Sequence, residues 1–169
     1  LRGTEYRVDC WDGMDRSWGA RAEVGTSAAA WIHVTFGDDY ALHVAMSLSI
    51  DDAGRVRYDA MRFGYVVEDG ELYGLTEAQV DAARVDMVPV SNHVVATDVR
   101  GKRHEFRGSA VGGYPWHQFS PAYVCYQSVM RYESDGRVGY AEHGDIFGLE
   151  YLAERRSPSA RAARAASVR

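Results

Sequence analysis

The sequence predicts an all-β protein, a closed antiparallel barrel of eight or nine short strands with at most one short helix. Three observations predict it. Eleven Tyr, four Trp and five Phe make up 12% of a 169-residue chain that also holds seventeen Gly, a composition that favours strands and tight turns over helices. Period-two alternation of apolar residues recurs along the chain. Turn signals separate the alternating runs at short, regular spacing, the pattern of an up-and-down barrel.

The elements follow in order. TEYRVDC, from Thr4, reads as a strand. The loop GMDRSWGAR, Gly13 to Arg21, then carries Asp15, Arg16, Ser17, Trp18 and Arg21. A tryptophan between a serine and a glycine fits a loop folded over an apolar mouth, with Arg16 or Arg21 holding Asp15. AAAWIHVTF (28–36) is a strand with Trp31, His33 and Thr35 on one face and Ile32, Val34 and Phe36 on the other. After GDDY comes ALHVAMSLSI (41–50), where Leu42, Val44, Met46, Leu48 and Ile50 oppose Ala41, His43, Ala45, Ser47 and Ser49. The second of these faces is small and mildly polar, suited to a cavity wall or a crowded second layer.

DDAG (51–54) turns the chain into VRYDAMRFGYVVEDG, with Met61, Phe63, Tyr65 and Val67 on one side. Gly64 marks a bulge or a close backbone approach there. TEAQVDAA (76–83) has capping-box spacing between Thr76 and Gln79 and reads as the one short helix. Arg84 to Val88 reads as a strand, as do VVATDV, RHEFRGSAVGG, AYVCYQSVMRYE and the final RVGYAEHGDIFGLEYL after the turn SDG. Residues 1–154 thus form one barrel domain. The last fifteen residues carry five Arg and no acid and read as a disordered tail.

Composition also excludes function classes. Without the tail the body is about ten charges negative, which argues against nucleic acid as partner. No apolar run of membrane-spanning length occurs. Cys10 and Cys125 stand alone, with no CxxC or His pattern, so no metal is expected; two unpaired thiols fit a reducing cytosol, and a single disulfide fits only if their strands are adjacent. No GxSxG, P-loop or HExxH motif is present.

The segment GMDRSWGAR resembles the glycine–Asp–His–Ser–Trp–Gly–x–Arg signature of the carotenoid hydratase (hydroxyneurosporene synthase)-like, lipocalin-type proteins. GRVGYAEHG, near the other end, resembles the Gly-x-Gly-Tyr-x-x-Glu stretch of their uncharacterised bacterial branch. Asp15, Ser17, Trp18, Gly19 and Arg21 match; Arg16 stands where the signature has histidine, and Met14 where an Arg-like residue is expected. Arg does not release its proton at neutral pH. The resemblance implies a lipocalin-like (calycin) barrel, the second of a tandem pair, that needs no cofactor and takes a lipophilic isoprenoid-, steroid- or polyketide-like molecule. It also implies either a missing N-terminal barrel or a homodimer as partner.

Three readings follow: one is a purely structural half whose mouth a missing N-terminal barrel covers, and the other two are functional classes. One is a binding barrel with Trp18, Trp31, His33, His43, Tyr65, Trp116 and Tyr126 lining the ligand site and Ser17 and Arg21 holding the motif. The other is a cofactor-free hydratase, cyclase or isomerase with Asp15 or Glu142 as acid. Protonating an alkene requires a carboxylic acid kept neutral by desolvation and aromatic faces for the cation. Each residue also has a plainer reading: Asp15 and Glu142 as paired structural carboxylates, His33 and His43 as packed histidines, Trp116 with His117 as an aromatic plug. His104 and His143 read as surface residues.

Overall fold

A computed structural model describes residues 2–9, 19, 27–116, 120–157, 159, 162 and 166. Eight strands follow in sequence: β1 (Ala28–Phe36), β2 (Tyr40–Ile50), β3 (Val56–Glu68), β4 (Glu71–Val85), β5 (Val88–Asp98), β6 (Arg103–Trp116), β7 (Tyr123–Ser134) and β8 (Arg137–Gly148). Each pairs antiparallel with the next, and β8 returns to β1, so the sheet closes as a barrel. A helix, α1 (Leu149–Arg156), follows β8.

Alternation decides which residues fill the lumen. Ile32 and Val34 from β1, and Leu42, Val44, Met46, Leu48 and Ile50 from β2, are buried on the inner face. Val66, Val94, Phe106, Met130, Tyr132 and Phe147 complete the core from the other strands. The middle of the tube is therefore packed with its own side chains and does not hold the ligand site that the sequence reading lines with Trp31, His33 and His43.

The two ends differ. At one end α1 packs Leu152 against the core, and the Ile50 amide donates to the Tyr151 hydroxyl at 2.9 Å. At the other, the β1–β2, β3–β4, β5–β6 and β7–β8 turns surround an open mouth. The β3–β4 and β7–β8 turns are Asp69–Gly70 and Asp135–Gly136, all four residues at positive φ, the geometry that suits two-residue hairpins. Near this mouth the barrel closes tightly: a Cβ on Gly139 would stand 1.9 Å from the Thr35 carbonyl oxygen.

Two elements correct the sequence reading. Thr76–Ala83 is the middle of β4 rather than a helix, because β5 offers it a ladder running from Leu75 to Val85. Thr76 gives its hydroxyl to the Thr97 carbonyl instead of capping a helix. The TEYRVDC segment is not a strand over its described residues, 4–9. The close approach expected at Gly64 is present: a Cβ there would meet the His43 carbonyl oxygen at 2.9 Å, next to the register shift between β2 and β3.

One seam is incomplete. β3 and β4 pair only through Tyr65–Glu68 with Glu71–Gly74. Beyond that the strands separate around a hollow of about 150 Å³ lined by Tyr58, Val80, Asp81 and Arg84 among others.

Candidate functional site

The mouth holds a cavity of about 460 Å³, within the range that small-molecule sites occupy. Its floor is aromatic because β1, β2 and β6 each deliver a ring to the same end. Phe36 lies 5.6 Å from Phe106, and Tyr40 lies 5.8 Å from each, centroid to centroid. Its rim is charged and paired. Lys102 Nζ meets Glu68 at 2.5 Å, Arg100 meets the other Glu68 oxygen at 3.0 Å, and Arg137 meets Asp39 at 2.5 Å. Arg103 and Arg107 both approach Glu105.

Beneath the rim runs a chain of three buried polar side chains. Asp98 ends β5 and holds the following turn by accepting from the amides of Arg100 (2.8 Å) and Lys102 (3.1 Å). The Arg100 guanidinium beside it holds its carboxyl well below the usual carboxylate range, aided by His104 and against burial, which pushes it up. An ionised carboxylate only accepts, so His104 donates from Nε2 to Asp98 at 3.1 Å. His104 Nδ1 then accepts from the Tyr40 hydroxyl at 3.0 Å. Burial, with Glu68 and Asp98 nearby, pushes the Tyr40 phenol up, so it stays protonated.

A second polar network crosses the packed lumen toward α1. Asp145 of β8 takes two bonds from Arg84 of β4, at 2.6 and 3.1 Å, and one from His143 Nε2 at 3.0 Å. Tyr58 of β3 donates to Asp145 at 3.1 Å and receives Arg84 Nη2. Asn92 of β5 donates to His143 Nδ1 and to Tyr132 Oη, both at 2.9 Å. Burial pushes the Asp145 carboxyl up, and His143 and the Arg84 guanidinium beside it outweigh that, so the group sits below its usual range. This network ties β3 and β4 together through β8 where their own ladder is missing.

Most sequence-predicted residues lie elsewhere. Trp31, His33, His43, Tyr65 and Glu142 share the outer wall, not a lumen. His33 and His43 do meet across the β1–β2 hairpin, with ring centroids 4.4 Å apart. His43, only 4% exposed, is covered by Trp31, Phe63 and Tyr65. Alternation puts them outside because Ile32, Val34, Leu42 and Val44 claim the core. Phe63 and Tyr65 are correspondingly 48% and 38% exposed.

Glu142, paired across β7–β8 with Val129, points outward, 3.2 Å from His33 Nδ1 and bonded by Gln127. The His33 imidazole holds its carboxyl below the usual range, against burial. Tyr126 is partly buried against Phe147 at the helix end, and Trp116 ends β6 opposite Cys125, both far from the mouth. Cys125 is a free buried thiol, pushed up to about 12 by burial. Asp15, Ser17, Trp18, Arg21, Cys10 and His117 lie outside the described residues.

His104 and His143, read from sequence as surface residues, are buried at the centres of the two networks. Nothing marked Tyr40 or Asp98 as a pair with His104. The available signal was that His104 sits two residues before Phe106 on one strand face, and His143 two before Asp145. Among the described residues no group of three or more His, Cys, Asp or Glu is placed to hold a metal, and no helix is long and apolar enough to cross a membrane.

Comparison with curated proteins finds no match. The family described as "Domain of unknown function (DUF7064)" matches over residues 1–147. With that match covering most of the chain, this chain belongs to the DUF7064 family.

Proposed function

We propose that this barrel binds a small organic molecule, with an apolar body and a polar end, in its turn-bearing mouth. One observation carries the reading: the cavity of about 460 Å³ with the Phe36–Tyr40–Phe106 floor and the charged rim above it. Such a site desolvates rings or chains below while leaving a polar end in reach of Lys102, Arg103 and Arg137. The likeness of the Gly13–Arg21 segment to the carotenoid hydratase-like, lipocalin-type signature supports the same reading and favours an isoprenoid-, steroid- or polyketide-like guest.

The proton-transfer alternative needs a carboxylic acid held neutral. Glu142 sits on the outer wall and is held below its usual range, as is the buried Asp145. Neither supports alkene protonation, so binding stands ahead of hydratase chemistry, for which Asp15 is the remaining acid.

Fluorescence titration with 1-anilinonaphthalene-8-sulfonate tests the reading. Ser134 lines the cavity, and Ser134→Trp fills it. Saturable binding by the wild-type chain that weakens about tenfold or more in Ser134→Trp, with melting temperature retained, is expected. Equal binding by both proteins contradicts the proposal.

A further inference from the structure

The Asp98–His104–Tyr40 chain has a direction. Asp98 is fully buried and accepts from five donors, four of them from Arg100 and the Lys102 amide. Those four already hold the turn. The His104 contact is not needed for it, and its effect is to fix the ring so that Nδ1 faces Tyr40. This is the arrangement in which a base is oriented by a third group. Tyr40, in turn, lines the mouth cavity. Its hydroxyl hydrogen is committed to His104, so toward the cavity its oxygen is an acceptor.

We propose that these three residues form a proton relay, through which Tyr40 takes the proton of an acidic hydroxyl, enolic or phenolic, on a molecule seated in the mouth. The inference rests on the mouth being a binding site. In the step, the guest O–H bond breaks and its proton joins Tyr40 Oη as the Tyr40 proton passes to His104 Nδ1. The products are an enolate or phenolate in the mouth and an imidazolium paired with the Asp98 carboxylate. No oxidant, metal or further reactant enters. The charges facing Tyr40 are Glu68 of β3, Asp98 of β5, Arg100 of the β5–β6 turn and Arg137 of β8. Arg137 lines the cavity, where a guest anion gains from it.

4-Nitrophenol, whose anion is yellow, is the probe, titrated with protein at a pH where the free dye is mostly protonated. The wild-type chain is expected to raise the phenolate fraction of bound dye about tenfold, as for a one-unit fall in apparent pKa. His104→Gln and Tyr40→Phe are each expected to abolish that rise while equilibrium dialysis still detects bound dye. Both variants keep every rim cation, so a yellow shift surviving in them comes from the cations alone and overturns the relay. Bound dye that stays protonated on the wild-type chain also overturns it, leaving the mouth as a binding site. Absence of saturable dye binding by the wild type overturns the site itself. Should His104→Gln lose the folded circular dichroism spectrum, Tyr40→Phe, which keeps the ring in the aromatic floor, decides the matter.

Discussion

His43 shows how a single side chain can be read correctly in sequence and still be misplaced in function. It does sit on the mildly polar face of β2 and does meet His33. That face, however, is a crowded second layer beneath Trp31, Phe63 and Tyr65, and neither ring nitrogen has a hydrogen-bond partner among the described residues. Burial, reinforced by the His33 charge and opposed by Glu142, lowers its pKa from the usual 6.5 to about 4. The unfolded chain therefore binds a proton in a range where the folded chain does not. Stability from this residue is full above the usual value, falls as the pH drops through the interval between 6.5 and about 4, and levels below it. The total is about 3 kcal/mol. His43→Phe, which keeps a ring in the cluster and removes the titrating group, should flatten the dependence of melting temperature on pH across that interval. An unchanged slope would contradict the assignment.

Asp145 behaves oppositely in origin and alike in sign. Its carboxylate is stabilised by His143 and Arg84, so its contribution is present above the usual 3.8 and is lost as the pH falls through its lowered folded value. Asp145→Asn leaves Arg84 without its buried partner and should cost about 3–5 kcal/mol at neutral pH in chemical denaturation. The deficit against wild type should shrink in acid. A variant as stable as wild type at neutral pH would show that the lumen network does not hold the barrel together. Neither effect was legible in the sequence. A histidine and an aspartate two apart on a strand look the same whether their face is inner or outer, and only the register against β7 and β1 settles it.

At the scale of elements, the seam between β3 and β4 is the weak part of the wall. β2 and β5 hold the far edges of these strands, but toward each other β3 residues 56–64 and β4 residues 75–85 lack a ladder. Amides that face the hollow should exchange with deuterium faster than those of β2 and β7, which are paired on both sides. Uniform protection across β2, β3 and β4 would contradict the open seam. The seam also explains why a helix was expected there. Thr76–Ala83 has the polarity of a strand whose solvent face is broad, and the capping-box spacing of Thr76 and Gln79 outweighed a weak alternation. Propensity over eight residues is a small effect beside the ladder that Leu75–Val85 makes with β5.

For the whole molecule, the all-β class and the closed antiparallel order were readable because aromatic content, alternation and short turns all point the same way. The β2 face Leu42–Ile50 and the turns at 51–54 and 134–136 stand where the pattern puts them. The site was not readable. A barrel can present its aromatic residues inward or outward without changing its period, and here the aliphatic residues of β1 and β2 take the core. Trp31, His43 and Tyr65 are left to the outside, and the open room lies at the mouth rather than in the lumen. That room is created by the convergence of four turns, each short and polar in sequence and none conspicuous alone. Nuclear magnetic resonance mapping of 1-anilinonaphthalene-8-sulfonate on the labelled chain tests this most directly. Shifts concentrated on amides of the four mouth turns, residues 37–39, 69–70, 99–102 and 135–136, together with the Tyr40 and Phe106 rings, are expected. Shifts concentrated instead on the outer wall around Trp31 and Phe63, or at the α1 end, would contradict it.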